Sequence, residues 1–274
     1  MGIRLLTIDL DGTLAVNIDN VPTRTAKAIA DTMAKGVFVS VATGREYNAA
    51  ARVAKALNLN SPVICYQGNI IRDHRTNTLL SATFVPLDIC RQFIKFAREQ
   101  KFPLVLFMEQ GNYTELPTPL MKAEVVTHGT PVSTVNNLLT LLDEQSKPLK
   151  LLTVQPADQT PAVFEAISQT FGDQLTVVRS ADMYVEAFWP TASKGAALEF
   201  LATQHEIDMT NTMAIGDHDN DISMLEKAGV SVAMGNGSPG AKKAAGIIAP
   251  SVAEEGVAWA IETYILEKTH DTDC

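Results

Sequence analysis

The sequence predicts an α/β protein: a doubly wound, Rossmann-like parallel-sheet core interrupted by an inserted domain of mixed α and β structure. Three observations carry this. Short, mainly apolar runs such as Leu5–Ile8 and Thr212–Ile215 have the composition of strands buried on both faces. Helical patterns alternate with them, as crossover connections between parallel strands require. The alternation stops after Asn69 and resumes at Ser193, so one domain is placed inside another.

In order, Leu5–Ile8 is the first strand and Pro22-Thr23 starts a helix running to Lys35, with Gly36 as its stop. A strand at 37–42, a helix at 47–57 and a strand at 62–66 complete the first rhythm. Ile70–Arg72 and Leu79–Ser81 flank a polar turn and read as a hairpin. The inserted unit, 82–190, is expected to hold helices at 87–100, 135–144 and 160–171. Its strands are expected at 104–108, 149–155, 175–179 and 183–188. The core resumes over 191–274, after a first part at 1–81. It has a helix from Ser193 to Gln204, strands at 212–215, 230–233 and 247–248, and a closing amphipathic helix from Val252 to Leu266.

Of the 274 residues 46% are hydrophobic and 19% charged, which suits a soluble globular protein with a full core. A net charge of −9 argues against a nucleic-acid partner, and no run is long and apolar enough for a membrane span. Cys65, Cys90 and Cys274 form no Cys-x-x-Cys pair, and no signal peptide is visible, so a cytoplasmic location is expected. An anionic substrate would then need local positive charge or a metal.

The first strand ends in Asp9-Leu10-Asp11-Gly12-Thr13. Carboxylates two residues apart on extended chain project to one side, at the sheet edge where open α/β proteins bind ligands. Their repulsion is about 1 kcal/mol in water and roughly 4 kcal/mol at an effective dielectric of 20, so a hard cation such as Mg2+ is expected between them. An Asx-rich turn after a strand would look the same. Thr43-Gly44 offers a hydroxyl and a free N–H for phosphate oxygens, and is equally an ordinary strand end.

The acidic run 216–221 follows an apolar strand. It matches the start of a calcium loop at Asp217, Asp219 and Asp221 but fails at Ile222 and Ala228. Lys194 opens a helix, where the dipole disfavours a cation unless an anion faces it; a surface lysine is the plainer reading. His218 has no histidine at metal-ligand spacing. Gly235-Asn236-Gly237-Ser238-Pro239-Gly240 spells a dinucleotide fingerprint, but the acidic residue that would hold a ribose is missing.

Taken in order, Asp9-Leu10-Asp11-Gly12-Thr13, Thr43, Lys194 and Gly216-Asp217 with Asn220-Asp221 resemble the four motifs of the haloacid dehalogenase-like (HAD) hydrolases. The long insertion and Thr43-Gly44-Arg45 resemble the Cof-type branch, whose insertion is a mixed α/β cap. The resemblance implies Asp9 as nucleophile, giving an aspartyl-phosphate, and Asp11 as general acid and base. It implies Mg2+ on Asp9, the Asp11 carbonyl and Asp217, with Asp221 in support. Phosphate would be bound by Thr43, Lys194, Asn220 and the N–H groups of Leu10 and Gly44. One departure stands out: the family often shows Asn-Gly-Ala after the third strand, where this chain has Gln67-Gly68-Asn69.

The reading is therefore a phosphatase of small phosphorylated metabolites, such as sugar phosphates, flavin mononucleotide or pyridoxal phosphate. Arg45, Arg179, Tyr184 and Glu186 are candidates for choosing the substrate. The alternatives are a phosphomutase or phosphotransferase, or a catalytically idle metabolite-binding protein on the same scaffold.

Overall fold

Leu5–Ile8 (β1) is buried at every position, as its unbroken apolar run requires. In the computed structural model, which describes residues 2–17, 20–128 and 131–266, β1 is followed by α1 (Thr23–Ala34), β2 (Phe38–Val41) and α2 (Tyr47–Ala56). After these come β3 (Val63–Cys65), β4 (Ile70–Arg72) and β5 (Leu79–Ala82). The inserted stretch contains α3 (Leu87–Gln100), β6 (Leu104–Met108), β7 (Gly111–Thr114), α4 (Pro119–His128) and β8 (Val132–Thr134). It continues with β9 (Pro148–Val154), α5 (Thr160–Phe171), β10 (Thr176–Ala181) and β11 (Tyr184–Phe188). The chain then forms α6 (Lys194–Gln204), β12 (Thr212–Gly216), α7 (Ile222–Lys227), β13 (Val230–Ala233), α8 (Pro239–Ala244), β14 (Ile247–Ile248) and α9 (Gly256–Ile261).

Contacts divide the chain into two units, 1–81 with 193–274, and 82–192. The second boundary was expected after Pro190. Ala192 belongs with the inserted unit because its N–H closes a turn on the Trp189 carbonyl at 2.9 Å.

The first unit is built on a five-stranded parallel sheet in the order β14-β13-β12-β1-β2. Ile8 lies level with Val41 on one side and Ile215 on the other. That register brings the ends of β1, β2 and β12 to the same edge. Leu5, Ala214 and Ala233 pack with Leu198, Leu201, Met224, Leu225 and Ala241 from α6, α7 and α8. Helices α1 and α9 pack together, with α1 against β2. Strand β3 continues the core through a parallel bridge from Ala42 to Ile64, and pairs antiparallel with β4 in a three-stranded sheet with β5.

The closing helix expected over Val252–Leu266 is broken. Ser251 and Glu254 form a capping box around a single 3₁₀ turn, and Glu255 turns left-handed at φ 57°. Gly256 lies so close to the Pro250 carbonyl that a Cβ would sit 2.1 Å from its oxygen. Helix α9 then runs only to Ile261, and a wider turn follows to Leu266.

The second unit is a six-stranded sheet in the order β10-β11-β9-β6-β7-β8, antiparallel except between β7 and β8. Phe93 and Ile94 of α3 and Ile167 and Phe171 of α5 meet Leu106, Leu151 and Val185 on one face of the sheet. Phe93 and Phe171 pack with ring centroids 4.9 Å apart. The helix expected over Val135–Glu144 is absent; only a 3₁₀ turn, Leu138–Leu141, forms there. Asn137 caps that turn, its Oδ1 accepting from Leu139 N at 3.0 Å, and Arg98 also donates to it. A side chain that satisfies local backbone in this way competes with helix extension. Strands β7 and β8 and helix α4 were not anticipated.

Cys65 and Cys90 are free and fully buried, and burial pushes the Cys90 thiol up to about 12. Cys274 lies outside the described residues.

Phe93 fills the centre of the second unit's core, so Phe93→Ala should lower its unfolding free energy by about 3–5 kcal/mol. Exposed Lys95→Ala on the same helix should stay within about 0.5 kcal/mol of the parent. Denaturant unfolding followed by circular dichroism measures both.

Candidate active site

At the shared sheet edge the chain leaves β1 at Asp9, β2 at Thr43 and β12 at Asp217. Asp9 N donates to the Ile215 carbonyl at 2.9 Å, which anchors it one step past the strand pairing. Gly12 takes φ 79°, and a Cβ there would lie 2.5 Å from Asp217 Oδ2, so only glycine lets this turn approach the acidic loop. Thr13 Oγ1 donates to Asp217 Oδ1 at 2.8 Å. Asn236 reaches over from the turn after β13, donating Nδ2 to the Gly12 carbonyl at 2.9 Å and accepting from Val252 N at 2.8 Å. The glycine-rich turn thus braces the Asp11-Gly12 turn.

The charge centre is Lys194, the first residue of α6. Ser193 caps this helix by accepting from Ala196 N at 3.0 Å. Lys194 is 1% exposed, and its Nζ lies 2.5 Å from Asp9 Oδ1 and 2.6 Å from Asp221 Oδ1. Asp221 Oδ2 accepts from the N–H groups of Asp217 and His218 at 2.9 and 3.0 Å. Burial alone would push the ammonium down, but Asp221 and Asp9 hold it above its ordinary value. Burial pushes Asp9 well up, opposed by Lys194 and reinforced by Asp221, Asp217 and Asp11. Burial, with Asp221 beside it, raises Asp217 to about 6.

One carboxylate oxygen from each of Asp9, Asp217 and Asp221 lies within 4.8 Å of the others. Three carboxylates against one ammonium leave excess negative charge in a desolvated place. An all-oxygen donor set of this kind fits a hard divalent cation.

Asp11 points to the more open side, its side chain 49% exposed. Arg45 holds it with both nitrogens, Nε at 2.7 Å from Oδ2 and Nη2 at 2.6 Å from Oδ1. Arg45, expected to choose substrate, thus faces the second aspartate of the first motif. Thr43 is buried and its Oγ1 accepts from Arg45 N at 3.1 Å. Leu10 buries its side chain in the core, so only its backbone can serve the site.

Asn220 meets a residue that motif reasoning named only as a departure. Its Nδ2 donates to Gln67 Oε1 at 3.0 Å, and Gln67 N donates to the Thr43 carbonyl at 3.1 Å. Gln67 is buried with φ 61°, and its amide lies where a Cβ on Gly44 would be, 2.5 Å from Nε2. It therefore ties the Thr43-Gly44 turn to the Asn220 loop. Thr13, Gln67 and Asn236 are the site residues that sequence reasoning assigned no role.

Arg179, Tyr184 and Glu186 belong to β10 and β11 of the second unit. Glu186 is committed within that unit: Oε2 pairs with Lys150 Nζ at 2.9 Å and Oε1 accepts from Ser180 Oγ at 2.6 Å. Lys150 in turn lies 4.6 Å above the Phe107 ring. Arg179 stands opposite Val185 in the sheet register.

Residues 6–261 match a family model described as haloacid dehalogenase-like hydrolase. The chain belongs to this family. It is an enzyme, a hydrolase of the phosphatase type. It is 31% identical to a putative phosphatase of Bacillus subtilis over 97% of this chain and 99% of that one. With a putative phosphatase of Streptococcus pyogenes serotype M6 it shares 30% identity over 97% and 100% of the two chains. A pyridoxal phosphate phosphatase of Escherichia coli is 28% identical, with 97% and 100% covered. Among solved structures, a haloacid dehalogenase-like hydrolase from B. subtilis superposes with a TM-score of 0.84 at 26% identity, over 95% of this chain and 99% of that one. No helix among the described residues is long and apolar enough to cross a membrane.

Raised carboxyl values in the folded state make the metal-free protein pH-sensitive. Asp217, at about 6 folded and near 3.9 unfolded, contributes stability below pH 4 that is lost as pH rises through 6. In chelator, stability should therefore fall by on the order of 2–3 kcal/mol between pH 4 and 7. Asp217→Asn should make that fall shallower, the raised Asp9 carboxyl keeping its own share, which urea unfolding at the two pH values will show.

Proposed function

We propose that the protein is a Mg2+-dependent phosphatase of small phosphorylated metabolites, working through an aspartyl-phosphate on Asp9. The observation that carries this is the Lys194 ammonium clasped by Asp9 and Asp221 with Asp217 alongside, at the edge where three parallel strands end. Asp9, Asp217 and Asp221 offer carboxylates for the cation, and the Asp11 backbone carbonyl is a further candidate. Bound there, Mg2+ would offset charge on the transferring phosphoryl group.

Lys194 orients the Asp9 carboxylate by holding Oδ1, and its own charge lies where the phosphoryl oxygens must come. Asp9 attacks phosphorus, and the bond to the leaving oxygen breaks as Asp11 supplies a proton. Asp11 then takes a proton from the water that attacks the aspartyl-phosphate, releasing inorganic phosphate and restoring Asp9. Thr43, Asn220 and the N–H groups of Leu10 and Gly44 bind the phosphate oxygens. Gln67 keeps the two loops that carry Thr43 and Asn220 in register. Sugar phosphates and phosphorylated cofactors such as pyridoxal phosphate or flavin mononucleotide are the substrate class. The named pyridoxal phosphate phosphatase among the relatives supports including the cofactors.

Phosphate release from a panel of these esters tests the reading, with Mg2+, with chelator, and with Asp9→Asn protein. Turnover should need the metal and should drop on the order of 10⁴-fold or more in Asp9→Asn. Turnover that survives both changes would refute the mechanism. Transfer to an added sugar hydroxyl in place of water would make the enzyme a phosphotransferase.

A further inference from the structure

The turn after β13 that spells Gly-x-Gly-x-x-Gly touches both loops that frame the carboxylates. Ser238 N donates to the Asp217 carbonyl at 2.7 Å, and a Cβ on Gly237 would lie 2.9 Å from the same oxygen. Asn236 Nδ2 donates to the Gly12 carbonyl at 2.9 Å, and the next residue, Thr13, donates to the Asp217 carboxylate at 2.8 Å. Asp217 is thus held at its backbone and at its side chain, and the Asp11-Gly12 turn is held with it. The piece that does this is itself anchored. Gly235 N donates to the Pro250 carbonyl at 3.2 Å, Gly237 N to the Met234 carbonyl at 2.8 Å, and Asn236 Oδ1 accepts from Val252 N at 2.8 Å.

The same turn engages an acid that could otherwise serve the cation. Ser238 Oγ donates to Asp219 Oδ1 at 2.6 Å while accepting from Ala241 N at 3.1 Å. Gly240 leaves room for that carboxylate, since a Cβ there would lie 2.6 Å from Asp219 Oδ1. In a calcium loop Asp219 would be the second ligand. Here the clustered carboxylates among the described residues are those of Asp9, Asp217 and Asp221, without Asp219.

The two common hard cations ask for different surroundings. Mg2+ demands near-ideal octahedral geometry at about 2.0–2.1 Å and commonly takes one or two carboxylates, whereas Ca2+ takes roughly 6–8 oxygens at about 2.3–2.6 Å in adaptable geometry. Fixed ligand spacing favours the first ion, and one carboxylate fewer disfavours the second.

We propose that this turn sets the metal preference of the carboxylate centre, Mg2+ over Ca2+. Asn236 fixes the Asp11-Gly12 turn against Asp217, and Ser238 keeps Asp219 from the cation. Both are positioning residues, acting through Gly12 and the acidic loop, and the inference rests on the Mg2+ reading given above.

Titration calorimetry at fixed ionic strength, with Mg2+ and separately with Ca2+, tests this without turnover. The parent should bind either ion at one site that Asp217→Asn abolishes. In Asn236→Ala, Mg2+ affinity should fall about tenfold or more and Ca2+ affinity less, lowering the Mg2+-to-Ca2+ ratio by about fivefold or more. Ser238→Ala should lower the ratio through tighter Ca2+ binding. Asn60 makes the same two kinds of backbone bond at the entry to β2, accepting from Val39 N at 2.8 Å and donating to the Val37 carbonyl at 3.0 Å. Asn60→Ala should therefore lower stability and leave the ratio unchanged.

The proposal is overturned if Asn236→Ala keeps the parent's ratio, or if Asn60→Ala lowers it equally. Ca2+ binding no tighter in Ser238→Ala would overturn the part given to Ser238. A parent that binds neither ion, or Asp217→Asn protein that binds them undiminished, would remove the metal reading and this inference with it, so the two failures are told apart.

Discussion

The burial of one ammonium group organises the catalytic unit. Lys194 is withdrawn from water at the first turn of α6, where the helix dipole opposes it, and is tolerable there only because Asp9 and Asp221 stand at 2.5 and 2.6 Å. The dependence runs both ways. The carboxylates come from β1 and from the loop after β12, strands adjacent in the sheet, and each would be costly to bury without the cation. Sheet register, helix cap and acidic loop therefore all serve a single charge arrangement. The excess negative charge left over is what makes the place ready for a divalent metal.

Around that centre the backbone is held by side chains whose work is positioning. Gly12 lets its turn reach Asp217, Thr13 ties it there, and Asn236 braces it from a third loop. Gln67 does the same for the other half of the site, at a left-handed backbone position that costs on the order of 1 kcal/mol for a residue with a Cβ. The orphan Oδ1 of Asn220 beside it is the kind of unsatisfied group a bound phosphate's water or cation would meet.

Much of this was legible in the sequence because it is local. Apolar runs ending in Asp9, Thr43 and Asp217 announce buried strands and their exits, and parallel pairing brings such exits together whatever the details. The long-range struts were not legible. That Gln67 would meet Asn220, 153 residues on, depends on how two loops fold over the edge. Likewise Val135–Glu144 has a helical pattern, but Asn137 satisfies the backbone locally and ends the helix before it starts. That Glu186 on β11 would pair with Lys150, on the neighbouring strand, was not legible either. Pattern reads periodicity; it does not read which partner arrives from across the fold.

The central claim is that the carboxylate held by Lys194 becomes covalently phosphorylated, and it can be examined directly. Enzyme mixed with Mg2+ and acetyl phosphate, quenched in acid and digested, should yield by mass spectrometry a phosphorylated peptide from the Asp9 segment. Asp9→Asn protein should yield none. A phosphoryl group found on another residue, or a rapidly turning-over enzyme that never carries one, would contradict the account.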